Sequence, residues 1–244
     1  MRRRFDSEQS KLDWLVGYLK EQGERTLTPT LKSENLAELL IVCTGLVRLA
    51  ISHAEGINAL LKQKMVEPTA PIERALYELW VELRYLLRVG SRVANASSLM
   101  INATMEIQEL VQARPENYPA DMRSGVAKAL EFYKAENPDL FEVVQDQRRK
   151  RRHHWTGLSR SKMEQAIAPG SIVYKSLSWE AHALLYPFRD VANSIVQAGL
   201  VHLEFKPLQD PHEQAEQVAN TATWMLRDIW NDYATEFGLG LIGV

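Results

Sequence analysis

PIERALYELWVELRYLLR, residues 71–88, is the stretch from which the fold is read. Leu76, Leu79, Trp80, Leu83, Leu86 and Leu87 recur at three- and four-residue steps, while Arg74, Glu78 and Glu82 stand four residues apart on the opposite face with Tyr85 and Arg88. A period of 3.6 residues accounts for both sets, so the segment is an amphipathic helix. Pro71 suits its first position, where no backbone N–H is needed. The same spacing carries the helix as far as Ala113, before Pro115, with Gly90 and the run Ala94-Asn95-Ala96-Ser97-Ser98 marking a kink or a close helix crossing.

The flanking chain has the same character. Leu12, Leu15, Val16 and Leu19 predict a first helix ending near Gly23, and TLTPTLK reads as a loop. From Ser33, a suitable N-cap, Leu36, Leu39, Leu40, Cys43, Leu46, Val47 and Ala50 predict a long helix to about Met65, stopped by Val66-Glu67-Pro68. Pro119, Asp121 and Met122 open a fourth helix toward Lys134, and Asn137-Pro138-Asp139 separates it from a fifth that ends in a basic run before Trp155. A short helix follows at Lys162–Ala168, then one from Ser171 that Pro187 kinks or ends. Asp210-Pro211 starts the last helix, which keeps its spacing to about Phe237. Alternating apolar and polar runs are almost absent, so the fold class is all-α: a bundle of about seven to eight helices, several long and antiparallel. No linker divides the chain, and residues 1–244 read as one helical domain. Residues 1–32 form its peripheral N-terminal helix and loop, and 211–238 its C-terminal helix.

Composition narrows the function classes without choosing one. With 244 residues, 45% of them hydrophobic, a sizeable core is available. The single cysteine, Cys43, makes no internal disulfide, and no Cys/His cluster has zinc-site spacing. No apolar signal segment follows the charged N-terminus, and no run of about 18 uncharged apolar residues occurs, so the expectation is a cytoplasmic protein without a membrane partner. Walker, dinucleotide-binding, EF-hand and His-Glu-x-x-His patterns are missing, so no cofactor and no metal is implied.

Charge placement is more informative than the balance of 29 basic and 31 acidic residues. Nine Lys/Arg and two acidic residues lie between Arg148 and Arg189, whereas two basic and seven acidic residues follow Val201. The densest part of the island is Arg148-Arg149-Lys150-Arg151-Arg152-His153-His154-Trp155. Guanidinium groups bond phosphate oxygens, and an adjacent indole is able to stack on an unpaired base, which is the chemistry of an RNA or other phosphate-bearing ligand. The alternative is a solvated helix end whose cations offset the C-terminal dipole. Metal-free RNA cleavage would use His153 or His154 for proton transfer, with Arg149 and Arg152 stabilising the phosphate charge. Arg148, Lys150 and Arg151 would then serve as binding cations. Two further constellations stand at helical spacing: the Arg74/Glu78/Glu82 face, and Tyr174, Ser178 and His182. Each reads either as a structural hydrogen-bonding set or, if another layer covers it, as part of a polar site.

The Arg149-x4-His154 and Arg148-x4-His153 spacings resemble the Arg-x(4–6)-His element of the HEPN class of helical ribonucleases and nucleotide-binding proteins. That resemblance implies catalysis, with a homodimer as a plausible setting, in a defence or toxin system of the kind directed at phage. Here Arg149 or Lys150 follows the arginine, where that class carries Asn, Asp or His. Arg74-x3-Glu78, then Glu82-Leu83-Arg84-Tyr85-Leu86, Trp155-Thr156-Gly157 and Tyr174-x2-Leu177-Ser178-x3-His182 resemble a broad family of bacterial and phage helical proteins classed under a domain of unknown function. That second resemblance covers Arg74 to His182 and implies that Arg74, Glu78, Trp155, Tyr174, Ser178 and His182 approach one another in one polar cluster. The alternatives for the whole protein are a nucleic-acid or nucleotide-binding module, a metal-independent ribonuclease, and a non-catalytic interaction scaffold.

Overall fold

A computed structural model describes residues 4–24, 36–151, 155–169, 171, 196–197, 200–201 and 210–243. The described residues form eight α-helices: α1 (Glu8–Glu24), α2 (Ala37–Lys62), α3 (Ala70–Arg88), α4 (Arg92–Ala113), α5 (Ala120–Glu136), α6 (Pro138–Arg151), α7 (Arg160–Ile167) and α8 (Pro211–Phe237). The all-α reading holds. The only strands among the described residues are Val196–Gln197 and Leu200–Val201, a minimal antiparallel pairing.

Local chemistry sets most boundaries. Ser7 Oγ accepts from the Ser10 amide at the start of α1, and Asp210 accepts from the His212 amide with Pro211 in the first turn of α8. Gly238, at φ +69, ends α8 in the left-handed conformation that a glycine adopts without steric cost. The predicted continuous helix from Pro71 to Ala113 is corrected to two. Val89 is extended, Gly90 has φ +69, and Ser91 begins α4 as its N-cap, accepting from the Ala94 amide. Asn95 on α4 then donates its amide to the Leu86 and Val89 carbonyls at 3.1 and 2.6 Å, closing the end of α3.

The main core lies among α1, α2, α3 and α8, where Leu12, Leu15, Leu19, Leu39, Ile57, Leu76, Leu83 and Met225 are fully buried. Each such side chain contributes about 1.5–3 kcal/mol. This corrects the expectation that the N-terminal helix is peripheral, because three α1 leucines reach the centre. Helix α2 is long and apolar enough to cross a membrane by length and composition, yet it packs against α1, α3, α4 and α8.

Charged side chains tie the bundle at its edges. Arg84 bonds Asp232 at 2.7 Å and Asp228 at 2.8 Å, Arg88 bonds Asp232 at 2.6 Å, and Arg92 bonds Glu236 at 2.6 Å. Arginines and carboxylates both advance by four residues, so this ladder sets the register of α3 and the start of α4 along a parallel α8. Arg84 also lies over the Trp80 ring at 4.5 Å. The acidic excess after Val201 is therefore partly matched inside the protein.

A smaller core of Ile101, Tyr133 and Val144 holds the α5–α6 hairpin against α4. Glu38 of α2 accepts from Ser97 of α4. Burial, followed by the charge and hydrogen bond of Glu38, pushes the Tyr133 phenol up to about 12.

Candidate functional site

Helix α3 presents Glu82 and Tyr77 to Trp155 and α7. Glu73 and Glu82 are buried, and Tyr77 between them is fully so. Burial of Glu82 and Tyr77 follows from the arrival of Trp155 and α7, which supply hydrogen-bonding partners in place of water. The Trp155 indole N–H donates to Glu82 Oε1, and Arg160 pairs with Glu82 Oε2. One turn toward the C-terminus, Glu164 Oε1 accepts from the Tyr77 hydroxyl at 2.6 Å and from Ser171 Oγ at 2.5 Å. Burial and the bond to Glu164 raise the Tyr77 phenol far above its ordinary value, so it remains a proton donor at any physiological pH.

The turn that delivers these groups is specified locally. Gly157 has φ +65, a conformation that favours glycine, and a Cβ there would press on Gln147 Cγ at 3.1 Å. Thr156 Oγ1 accepts from the Leu158 amide at 3.0 Å, and Ser159 caps α7 by accepting from the Lys162 amide. Trp155 is 4% exposed and meets Tyr85 edge-on at 5.8 Å. It is part of the core, which corrects the expectation that its indole is free to stack on a base.

The polar cluster differs in register from the one the sequence suggests. Trp155 meets Glu82, four residues beyond Glu78, while Arg74 Nε donates to Glu78 at 3.0 Å on a partly exposed face. Arg74 and Glu78 thus form an i,i+4 pair along α3, with side chains 22% and 30% exposed. Tyr174, Ser178 and His182 lie outside the described residues, as do Arg152, His153 and His154. Tyr77, Arg160, Glu164 and Ser171 were missed by sequence reasoning. Only the small step from Trp155-Thr156-Gly157 to Arg160 hinted that a charged partner would accompany the tryptophan.

At the basic run the structure separates two neighbours. Arg149 is exposed at the end of α6, and Lys150 and Arg151 complete the helix. Arg148 is buried: its guanidinium bonds Asn102 Oδ1 at 2.7 Å, the Asn102 carbonyl at 3.2 Å and Glu109 at 2.9 Å, with Glu106 at 3.5 Å. The expectation that Arg148 is a surface binding cation is corrected. It follows Val144 by four residues, so it shares the inward phase of α6 and serves as the anchor onto α4. No group of His, Cys, Asp and Glu suited to a metal occurs among the described residues.

Two anchors therefore bracket the basic run, Arg148 on α4 and Trp155 on α3. A family model, described as a family of unknown function (DUF5677), matches residues 40–194, which enclose the span from Arg74 to His182. No curated protein and no solved structure matches the chain.

Proposed function

The chain belongs to that family of unknown function, and from this premise we propose that it binds single-stranded nucleic acid or a nucleotide through the cations between Arg148 and Trp155. One observation supports the reading above the others. The run is fastened at both ends by buried side chains, while Arg149 between them is exposed. Fixing a cationic segment before binding lowers the ordering cost that a flexible tail bears on contact with phosphate. In this reading Arg149, Lys150, Arg151 and Arg152 meet phosphates, and the Glu82–Trp155–Arg160 cluster positions them without touching the ligand.

The test is affinity for a mixed-sequence single-stranded RNA across a salt series, without divalent metal. Affinity should fall steeply as salt rises, and an Arg149→Ala/Arg152→Ala variant should flatten the slope by about 1.4, or 0.7 per lost contact on a single strand. No detectable binding at low salt would sink the proposal. The same samples decide the enzymatic reading: strand cleavage that disappears in a His153→Ala/His154→Ala variant with binding intact would make the protein a metal-independent ribonuclease.

A further inference from the structure

We infer that the groove between α4, α5 and α6 receives one unpaired nucleobase bearing an exocyclic amine, adenine best; this rests on the nucleic-acid reading above and names the part of the ligand that the cations leave unread. The groove has a volume of about 400 Å³ and lies beside the anchored basic run, within the range of small-ligand sites. Its chemistry divides in two. Met105, Leu130 and Phe141 give it apolar surface, and all three are only partly buried. Gln108 and Gln145 add side-chain amides, and the buried Oε1 of Gln108 has no hydrogen-bond donor.

This combination fits a flat, neutral, amine-bearing ring. Phe141 offers a π-face for stacking, which is tolerant of sequence. A glutamine amide pairs with the adjacent donor and acceptor of adenine, its amine and N7. Turning the Gln108 amide into the groove, where its Oε1 meets the amine, removes the cost of an acceptor that is buried and unpaired in the free protein. The charges argue against a bare phosphate inside the groove. Arg148 is already matched by Glu109, whose half-exposed carboxylate repels an anion and accepts from an amine. Arg149, also lining the groove, is the exposed cation there and suits the phosphate attached to the base.

The experiment compares probes on the unaltered protein first. Adenosine 5′-monophosphate should raise the melting temperature and displace a labelled single-stranded RNA, whereas ribose 5-phosphate at equal concentration should do neither. A Leu130→Trp variant, which fills the groove, should bind an RNA strand about tenfold more weakly, yet bind an abasic strand of equal length as the parent does. Gln145→Leu, at an exposed position, should reduce the preference for adenine over uracil without altering the melting temperature. If the parent binds RNA but treats base-bearing and abasic strands alike, the groove proposal fails while the cationic contact stands. If it binds neither, both readings fall together.

Discussion

The Glu82 side chain is 5% exposed and that of Arg160, which neutralises it, 24%. Removing the cation would leave a buried carboxylate without its counter-charge, so Arg160→Met should lower unfolding free energy by about 3–5 kcal/mol. Lys62→Ala should cost less than about 1 kcal/mol, because its pair with Asp13 is half-exposed. Urea unfolding of the two variants checks the contrast, and equal losses would mean that Glu82 does not depend on Arg160. Both pairs join a cation to a carboxylate across two helices. Their different weights come from burial, since one pair is enclosed and the other is half-exposed.

At the scale of elements, the ladder along α3, α4 and α8 separates buried from exposed ion pairs. Arg84 and Asp232 are each under one-fifth exposed, whereas Arg88 is half-exposed although it meets the same carboxylate. A double-mutant cycle for Arg84 and Asp232 should give coupling above about 1 kcal/mol, and that for Arg88 and Asp232 a value below it. Coupling that is equally weak in both cycles would show that apolar packing alone sets the register. Helix boundaries were largely legible from periodicity and caps. Gly90 was visible as an irregularity, but whether the chain bends or breaks there depended on Asn95 reaching back to cap α3, a contact no local pattern reveals.

Across the molecule, stability should be uneven. The α1–α2–α3–α8 core buries dozens of apolar side chains, while the α5–α6 hairpin rests on α4 through Ile101, Tyr133 and Val144, the anchor at Arg148 and the Glu38 tie to Tyr133. Native-state hydrogen exchange should therefore open α5 and α6 at lower free energy than α2, α3 and α8. Amides of α5 protected as strongly as those of α3 would contradict this division. The uneven core bears on function, because both the groove and the basic end of α6 belong to the less stable part, where ligand binding should produce the larger gain in protection.

The amino-acid sequence determined the helical class, the faces that turn inward on α1, α2, α3 and α8, and the basic run itself, since a 3.6-residue period and a capping residue are local properties. Tertiary structure decided which of several equivalent charges became buried. Glu78 and Glu82 are alike in sequence, as are Arg148 and Arg149, but α7 covers one carboxylate and the phase of α6 on α4 turns one guanidinium inward. Such choices rest on partners tens of residues away, 73 between Trp155 and Glu82 and 46 between Arg148 and Asn102. They are fixed by the packing that makes desolvation of a charge tolerable only where a specific partner waits.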